Sequence, residues 1–418
     1  MLAGIMQSTY TGSADRTFEA QALFRYVASY LASKDAVPID PFNLPLRDER
    51  FETKKEELLL AFGAVRDAAP DSWGRARMER EAGRQLDDIE FIHASGADRS
   101  GFLAFAQDDK GPRVTAPWAK AGEFDSTRFL DLGGLGLHIK DAANVRLAPE
   151  EQRLLLVFGS SLGGARPKAT VEVDGHVWLA KSSRPDDQYN YPRGEHAAMV
   201  LAGLCGMRVP ETRVIKVMDR DVYLIRRFDR EVTENGVVRR HGFISALSAF
   251  GISDNAMTVK TEASYKKLLG RMSDTKTSYV TADMRELFRR VVFNILVCNT
   301  DDHPRNHGFL FKDGIWRLSP LYDVQPLIYR SGSTRHLAMR FGEQGSEGTI
   351  ANLVSGARDF GLSRAEAASE VDDLLRCFSS WREVFKNAGV PDDDMPGYEA
   401  TFALADDWRR ELRESPEF

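Results

Sequence analysis

The 418-residue chain has only three cysteines, Cys205, Cys298 and Cys377. They are too few and too far apart for a zinc knuckle or a disulfide framework, and each reads as a small buried hydrophobe. No apolar run approaches the roughly 18 residues of a membrane span. The opening Met1-Leu-Ala-Gly-Ile-Met6 lacks the basic and apolar stretches of a signal peptide. A basic excess is also missing: Lys plus Arg number 56 and Asp plus Glu 62, giving a net charge of −6. A dedicated nucleic-acid binder usually shows the opposite balance. Internal repeats and low-complexity tracts are absent. The expectation is a cytosolic globular protein with no membrane association. What is present is apolar material, 43% of the residues. That suffices for a sizeable core without metal or disulfide staples, in two or three domains or one two-lobed enzyme.

Along the first 150 residues, Leu23, Val27 and Leu31 at four-residue spacing predict a helix from about Glu19 to Leu31. A second is expected after Glu52, carrying Leu58, Leu59, Leu60 and Phe62. The glycine-rich stretch Leu132 to His138 precedes no clear helix and reads as turns. The texture changes from Arg153. The apolar Leu154–Phe158 leads into Gly159-Ser-Ser-Leu-Gly-Gly-Ala-Arg-Pro-Lys168, and two strands around Asp174-Gly175 then signal a hairpin. A polar segment from Ser182 to Gly194 precedes a helix expected to start near Glu195. Val214–Val217 and Val222–Ile225 predict a further β pair. Asp283-Met-Arg-Glu286 reads as a capped helix start, followed by the stripe Phe288, Val291, Val292, Ile295 and Leu296. A second Asp-Gly hairpin spans Gly308 to Leu318. Ser363-Arg-Ala-Glu366 is a capping box ahead of Val371, Leu374, Leu375 and Phe378, and Pro391 and Pro396 separate the last helices. Strands first and helices later predict an α+β fold with a β-rich amino-terminal lobe and a helical carboxy-terminal lobe.

The stretch Cys298-Asn-Thr-Asp-Asp-His-Pro-Arg-Asn-His307 carries the chemistry. There a buried helix ends and ionisable residues crowd a loop, the kind of place where catalytic groups concentrate. The five-residue step from Asp301 to Asn306 is the offset between base and metal-binding Asn in protein-kinase catalytic loops. A hairpin then leads to Asp323, placed as the magnesium carboxylate is in kinases, and Lys181 ends an upstream strand. Phosphoryl transfer needs a base for the substrate hydroxyl, an Asn and an Asp for magnesium, and a Lys on the phosphates. The bland readings are turn-capping aspartates at 301, 302 and 323 and a solvated strand-end Lys181. His303 and His307, four apart, would suggest a zinc pair on a helix, or a metal-dependent hydrolase together with Asp301. Pro304 disfavours that conformation. Gly159-x₄-Gly164 continues as Ala165-Arg166, so it is no P-loop NTPase signature.

These residues resemble the HipA-type serine/threonine kinase toxins of bacterial toxin–antitoxin modules. The matching pieces are Ser160 to Lys168, Lys181, Arg226-Arg-Phe-Asp-Arg230, Phe293-Asn294 through Asn306, and Ser319-Pro-Leu-Tyr-Asp323. Leu44-Pro-Leu46 and Pro70 to Arg75 resemble the family's amino-terminal domain. The resemblance implies a two-lobed, protein-kinase-like fold with domains at 1–150 (amino-terminal), 151–390 (kinase core) and 391–418 (a carboxy-terminal helix on the helical lobe). It implies ATP and Mg²⁺ as cofactors, Asp301 as base and His303 as support for the catalytic loop. Asn306 and Asp323 would bind metal. Lys181, Gly163, Gly164 and Lys168 would sit at the ATP phosphates, and Arg226 to Phe228 would form the hinge against adenine. Ser161, or its neighbour Ser160, falls where the family is autophosphorylated, and Ser182 to Gly194 resembles its activation loop. Arg226 replaces the family's frequent hinge Glu, and Arg166-Pro167 its frequent Gln-Glu. The implied function is a Mg-ATP-dependent Ser/Thr kinase toxin acting on an aminoacyl-tRNA synthetase. A HipB-like helix-turn-helix antitoxin would restrain it and make the main contact with operator DNA. The alternative is a kinase-like, non-enzymatic subunit of an antitoxin–DNA repressor complex.

Overall fold

The computed structural model describes residues 1–13, 16–53, 62–70, 72–94, 99–106, 168–183, 187–217, 220–253, 255–329 and 334–414. The segment expected to be helical after Glu52, the 132–138 stretch, and the glycine loop with Ser160, Ser161, Gly163 and Gly164 lie outside these residues.

Strands β1 (Gly4–Ser13), β2 (Arg16–Tyr26) and β3 (Arg50–Glu52) form an antiparallel sheet in that order. Strand β2 corrects the helix expected from Glu19. The spacing of four coexists with a stronger alternation, in which Ala22, Phe24 and Tyr26 are buried and the intervening Arg25 is exposed. Period two belongs to a strand. Gly4 lies so close to Phe24 that a Cβ there would sit 2.3 Å from the ring. Helix is confined here to one turn, α1 (Ala28–Leu31). Helices α2 (Gly63–Ala68), α3 (Ser72–Ala82) and α4 (Asp88–Ala94) follow. Phe24, Tyr26, Leu44, Phe62, Val65 and Ile92 share one core.

The second sheet contains β4 (Lys168–Val173), β5 (His176–Ser182), β6 (Thr212–Val217) and β7 (Arg220–Arg226), in the order β4-β5-β7-β6. Its first hairpin turns where expected. Asp174 and Gly175 both adopt positive φ, 53° and 70°, as a type I′ turn requires. Helix α5 (Tyr191–Leu204) lies between β5 and β6. It starts earlier than expected, because Asn190 accepts the Arg193 amide and Pro192 occupies the first turn. Tyr191 to Gly194 is therefore helix and not the end of a loop.

Strands β8 (Arg230–Val232) and β9 (Val238–Arg240) pair with each other, and β10 (Gly242–Ser245), β11 (Gly308–Lys312) and β12 (Ile315–Leu318) form a small sheet. The helices of this region are α6 (Ala246–Phe250), α7 (Ala256–Glu262), α8 (Tyr265–Asp274), α9 (Val280–Leu296), α10 (Ile350–Gly356), α11 (Arg364–Phe378), α12 (Trp381–Asn387), α13 (Met395–Phe402) and α14 (Leu404–Glu414). The Ser363 capping box is formed as expected. Asp283 does not cap α9. It sits buried inside the first turn, taking Arg208 at 2.8 Å, Arg317 at 2.5 Å and the Leu318 amide at 3.1 Å. The α9 stripe from Phe288 to Leu296 is fully buried within a core that reaches from α5 to α14. Among the described residues, no helix is long and apolar enough to cross a membrane.

Candidate active site

Lys181 lies near the end of β5, paired across the sheet with Tyr223 on β7. Its Nζ is buried and bonded to two carboxylates, Glu195 Oε1 at 2.6 Å and Asp323 Oδ1 at 2.5 Å. Burial alone pulls a lysine down. The charges of Asp323 and Glu195 outweigh it here and hold the ammonium above its usual range. Glu195 was missed by the sequence reading. The available signal was a buried acid on an otherwise apolar helix face beside Ala197, Ala198 and Met199, because such an acid needs a partner.

The residues expected to form the catalytic loop come from the turn after α9. Cys298 takes φ 57°, and the Asn299 amide closes back on the Asn294 carbonyl at 2.8 Å. Asp301 projects into solvent, its side chain 78% exposed. The loop is braced from within: Asn306 Nδ2 donates to the Asp301 carbonyl at 2.8 Å, and the Asn306 amide to the His303 carbonyl at 2.8 Å. His303 Nε2 stands 3.9 Å from Asp301 Oδ1.

Asp302 turns the other way. It is buried, accepting from the Tyr265 hydroxyl and, at 2.8 Å, from the Ala338 amide. Burial pushes its carboxyl up to about 8 and drops the neighbouring His307 to about 3. His307 is buried against Tyr265, so the two histidines share no ligand face.

These two shifts set opposite pH dependences of stability. The native state retains a proton on Asp302 that the unfolded chain releases, so that contribution is lost as pH rises toward 8. It withholds one from His307, so that contribution is lost as pH falls from 6.5 toward 3. Asp302→Asn should therefore hold its melting temperature between pH 6.5 and about 8, where the unsubstituted protein's declines. Parallel curves from a thermal scan over that range would refute the protonated Asp302.

Asp323 adopts φ 58°, a left-handed conformation that Asp tolerates better than most side chains. The preceding Tyr322 fixes it, donating to the Arg305 carbonyl at 2.7 Å and packing on Phe228 and Phe243. At the expected hinge, the Arg226 guanidinium is turned to His176 at 3.1 Å and Glu211 at 3.6 Å. The Arg226 and Arg227 amides are spent on the Glu211 and Val177 carbonyls, both at 2.9 Å. The amino-terminal region docks against the same wall, the Gly101 amide on Asp229 at 2.9 Å and Asp67 on Ser245 at 2.7 Å. Lys181, Arg226, Phe228, Asp301, Asn306 and Asp323 all line one cleft of about 1490 Å³. Lys168 contributes backbone to β4.

The HipA-like C-terminal domain model matches residues 160–381, more than half of the chain. The chain belongs to the HipA-like C-terminal domain family.

A Sinorhizobium fredii protein named “Putative kinase Y4mE” is 24% identical over 334 residues, covering 77% of this chain and 76% of that protein. A Haemophilus influenzae protein of the same description, without the suffix, is 25% identical over 255 residues, 53% of this chain and 71% of its own. A chain of the Shewanella oneidensis MR-1 HipA, HipB and operator DNA complex superposes with a TM-score of 0.67. It is 15% identical and covers 98% of this chain and 97% of that one. The two-lobed kinase-like α+β fold is thus shared across nearly the whole HipA-like chain.

The donor set fits a magnesium ion. With Nδ2 engaged, Asn306 retains its side-chain carbonyl oxygen, and Asp323 offers a carboxylate. Such hard oxygens suit magnesium, which is commonly held by one or two side chains plus substrate phosphates. Among the described residues, no group of three or more His, Cys, Asp and Glu side chains could hold a metal by itself.

Proposed function

We propose that this chain is a Mg-ATP-dependent protein serine/threonine kinase serving as the toxin of a toxin–antitoxin module. The observation that carries the reading is the Lys181 ammonium, shared between Glu195 and Asp323 in the cleft that Asp301 and Asn306 also line. In kinases the strand lysine must pair with a helix Glu and the metal Asp must be in place. Lys181 would hold the nucleotide phosphates, and Asn306 and Asp323 would hold magnesium, which supplies charge neutralisation. Asp301, exposed and unencumbered by the buried bonds of Asp302, would accept the proton of a substrate hydroxyl, and His303 would support it. Phe228 would meet the adenine.

The domain division at 1–150, 151–390 and 391–418 goes with this reading. So does a HipB-like helix-turn-helix antitoxin, the kind of partner named in the Shewanella oneidensis complex. The net charge of −6 suits a division in which the antitoxin contacts operator DNA. The protein substrate would be an aminoacyl-tRNA synthetase. Phosphoproteomics of cells expressing the unsubstituted chain against Asp301→Ala tests this. A phosphosite on a synthetase that needs Asp301 supports it, and identical phosphoproteomes reject it.

Self-phosphorylation at Ser161 would bring about −1.5 to −2 charges into the glycine loop. Nucleotide phosphates would then be repelled. Calorimetric titration with ATP should show much weaker binding to the phosphorylated form. Equal affinities would remove this role, and a phosphate mapped to Ser160 would move the site by one residue.

A further inference from the structure

Helix α5 is tied to the carboxy-terminal lobe as well as to its own sheet. We propose that Arg193 is a positioning residue, locking α5 across both lobes so that Glu195 stays on Lys181. The inference rests on the kinase reading above.

Arg193 grips Asp221 on β7 with two parallel bonds, Nε to Oδ2 at 2.7 Å and Nη2 to Oδ1 at 3.1 Å. Its third nitrogen, Nη1, donates to the Ala388 carbonyl just beyond α12 at 3.0 Å. Asn190, the cap of α5, joins the knot from both sides. Its Nδ2 donates to Asp221 at 2.7 Å and its amide to Asp394 at 2.8 Å. Forked, charge-assisted bonds of this kind are strong and directional. Although burial works to raise it, the bonds from Arg193 and Asn190 keep the Asp221 carboxyl below the usual range.

Two glycines make room for the junction. A Cβ on Gly389, which has φ 74°, would lie 2.2 Å from Arg193 Nη1. A Cβ on Gly194 would lie 2.3 Å from the Tyr398 hydroxyl of α13. Helix α5 makes its most extensive helix–helix contact with α12.

The geometry couples the knot to the ion pair. Residues two apart on a helix project about 200° from one another. Arg193 therefore faces the junction of Asp221 and Ala388 while Glu195 faces Lys181. A helix turns as a unit, so withdrawing Glu195 from Lys181 requires breaking the Arg193 bonds too. In kinases the placement of this helix is a control point. Here it is held through Asp221, the Ala388 carbonyl and Asp394.

A double-mutant cycle on the full chain tests the lock. Arg193→Ala, Glu195→Gln and the double variant are compared for transfer from γ-labelled ATP to the chain itself and to dephosphorylated casein. Arg193→Ala should lower kcat about ten-fold or more with little change in the KM for casein, yet about two-fold or less in the Glu195→Gln background. Arg193→Lys should recover part of the rate. If Arg193→Ala proves unstable in a thermal melt, the partly exposed Asp394→Ala serves instead, with a smaller loss that also vanishes beside Glu195→Gln. Multiplying effects of the two single variants would overturn the lock while leaving the kinase reading standing. No transfer by the unsubstituted chain to itself, to casein or to any cell-extract protein would overturn the kinase reading itself.

Discussion

Asp301→Ala is expected to slow phosphoryl transfer by about 10²–10⁴-fold, the usual cost of losing a general base. Stability should barely move. The side chain is 78% exposed, and changes at such surfaces usually stay within about 0.5 kcal/mol. Growth arrest on expression should disappear together with the activity. Asp302→Ala would behave differently, because it strips a buried acceptor from Tyr265 and from the Ala338 amide. Kinetics and thermal melts of both variants separate the two neighbouring aspartates. Full activity in Asp301→Ala would mean that another group takes the proton. For Asp323 the suitable substitution is Asn, since φ is 58° there and an alanine would add backbone strain to the loss of charge.

Lys181→Met should abolish transfer and also destabilise the fold. Removing one partner of a buried ion pair typically costs about 3–5 kcal/mol, because the other charge is left desolvated. Glu195, whose side chain is 3% exposed, would lose its Lys181 bond away from solvent; Asp323, at 34%, can still be hydrated. Lys181→Met combined with Glu195→Gln should therefore regain most of the lost stability while remaining inactive. Chemical denaturation measures the first effect and labelled-ATP transfer the second. Equal stability of the single and double variants would mean that Glu195 is not the compensated charge.

Local signals made much of this molecule legible. Both Asp-Gly hairpins appear where they were expected, because Asp174, Gly175, Asp313 and Gly314 supply the positive φ the turns need. The α9 stripe and the Ser363 capping box were equally readable, since each depends on residues three or four apart. The structure turns Asp301 to the cleft and Asp302 to the core. What failed depended on distant partners. Strand β2 needed Gly4 and β1 to reveal its pairing. The role of Asp283 needed Arg208 and Arg317, from elements far along the chain. Glu195 was hidden because its meaning lies in Lys181 and Asp323, which no local pattern connects to it. The Arg226 side chain, turned to His176 and Glu211, likewise depends on neighbouring strands.

The most direct measurement is the intact mass of the purified chain, and of proteins in a cell extract, after incubation with Mg-ATP. The unsubstituted chain should add phosphate to itself or to an extract protein, and Asp301→Ala should add none. ATP consumed with no phosphoprotein formed, or equal phosphate gain in Asp301→Ala, would contradict a protein kinase that uses Asp301 as its base.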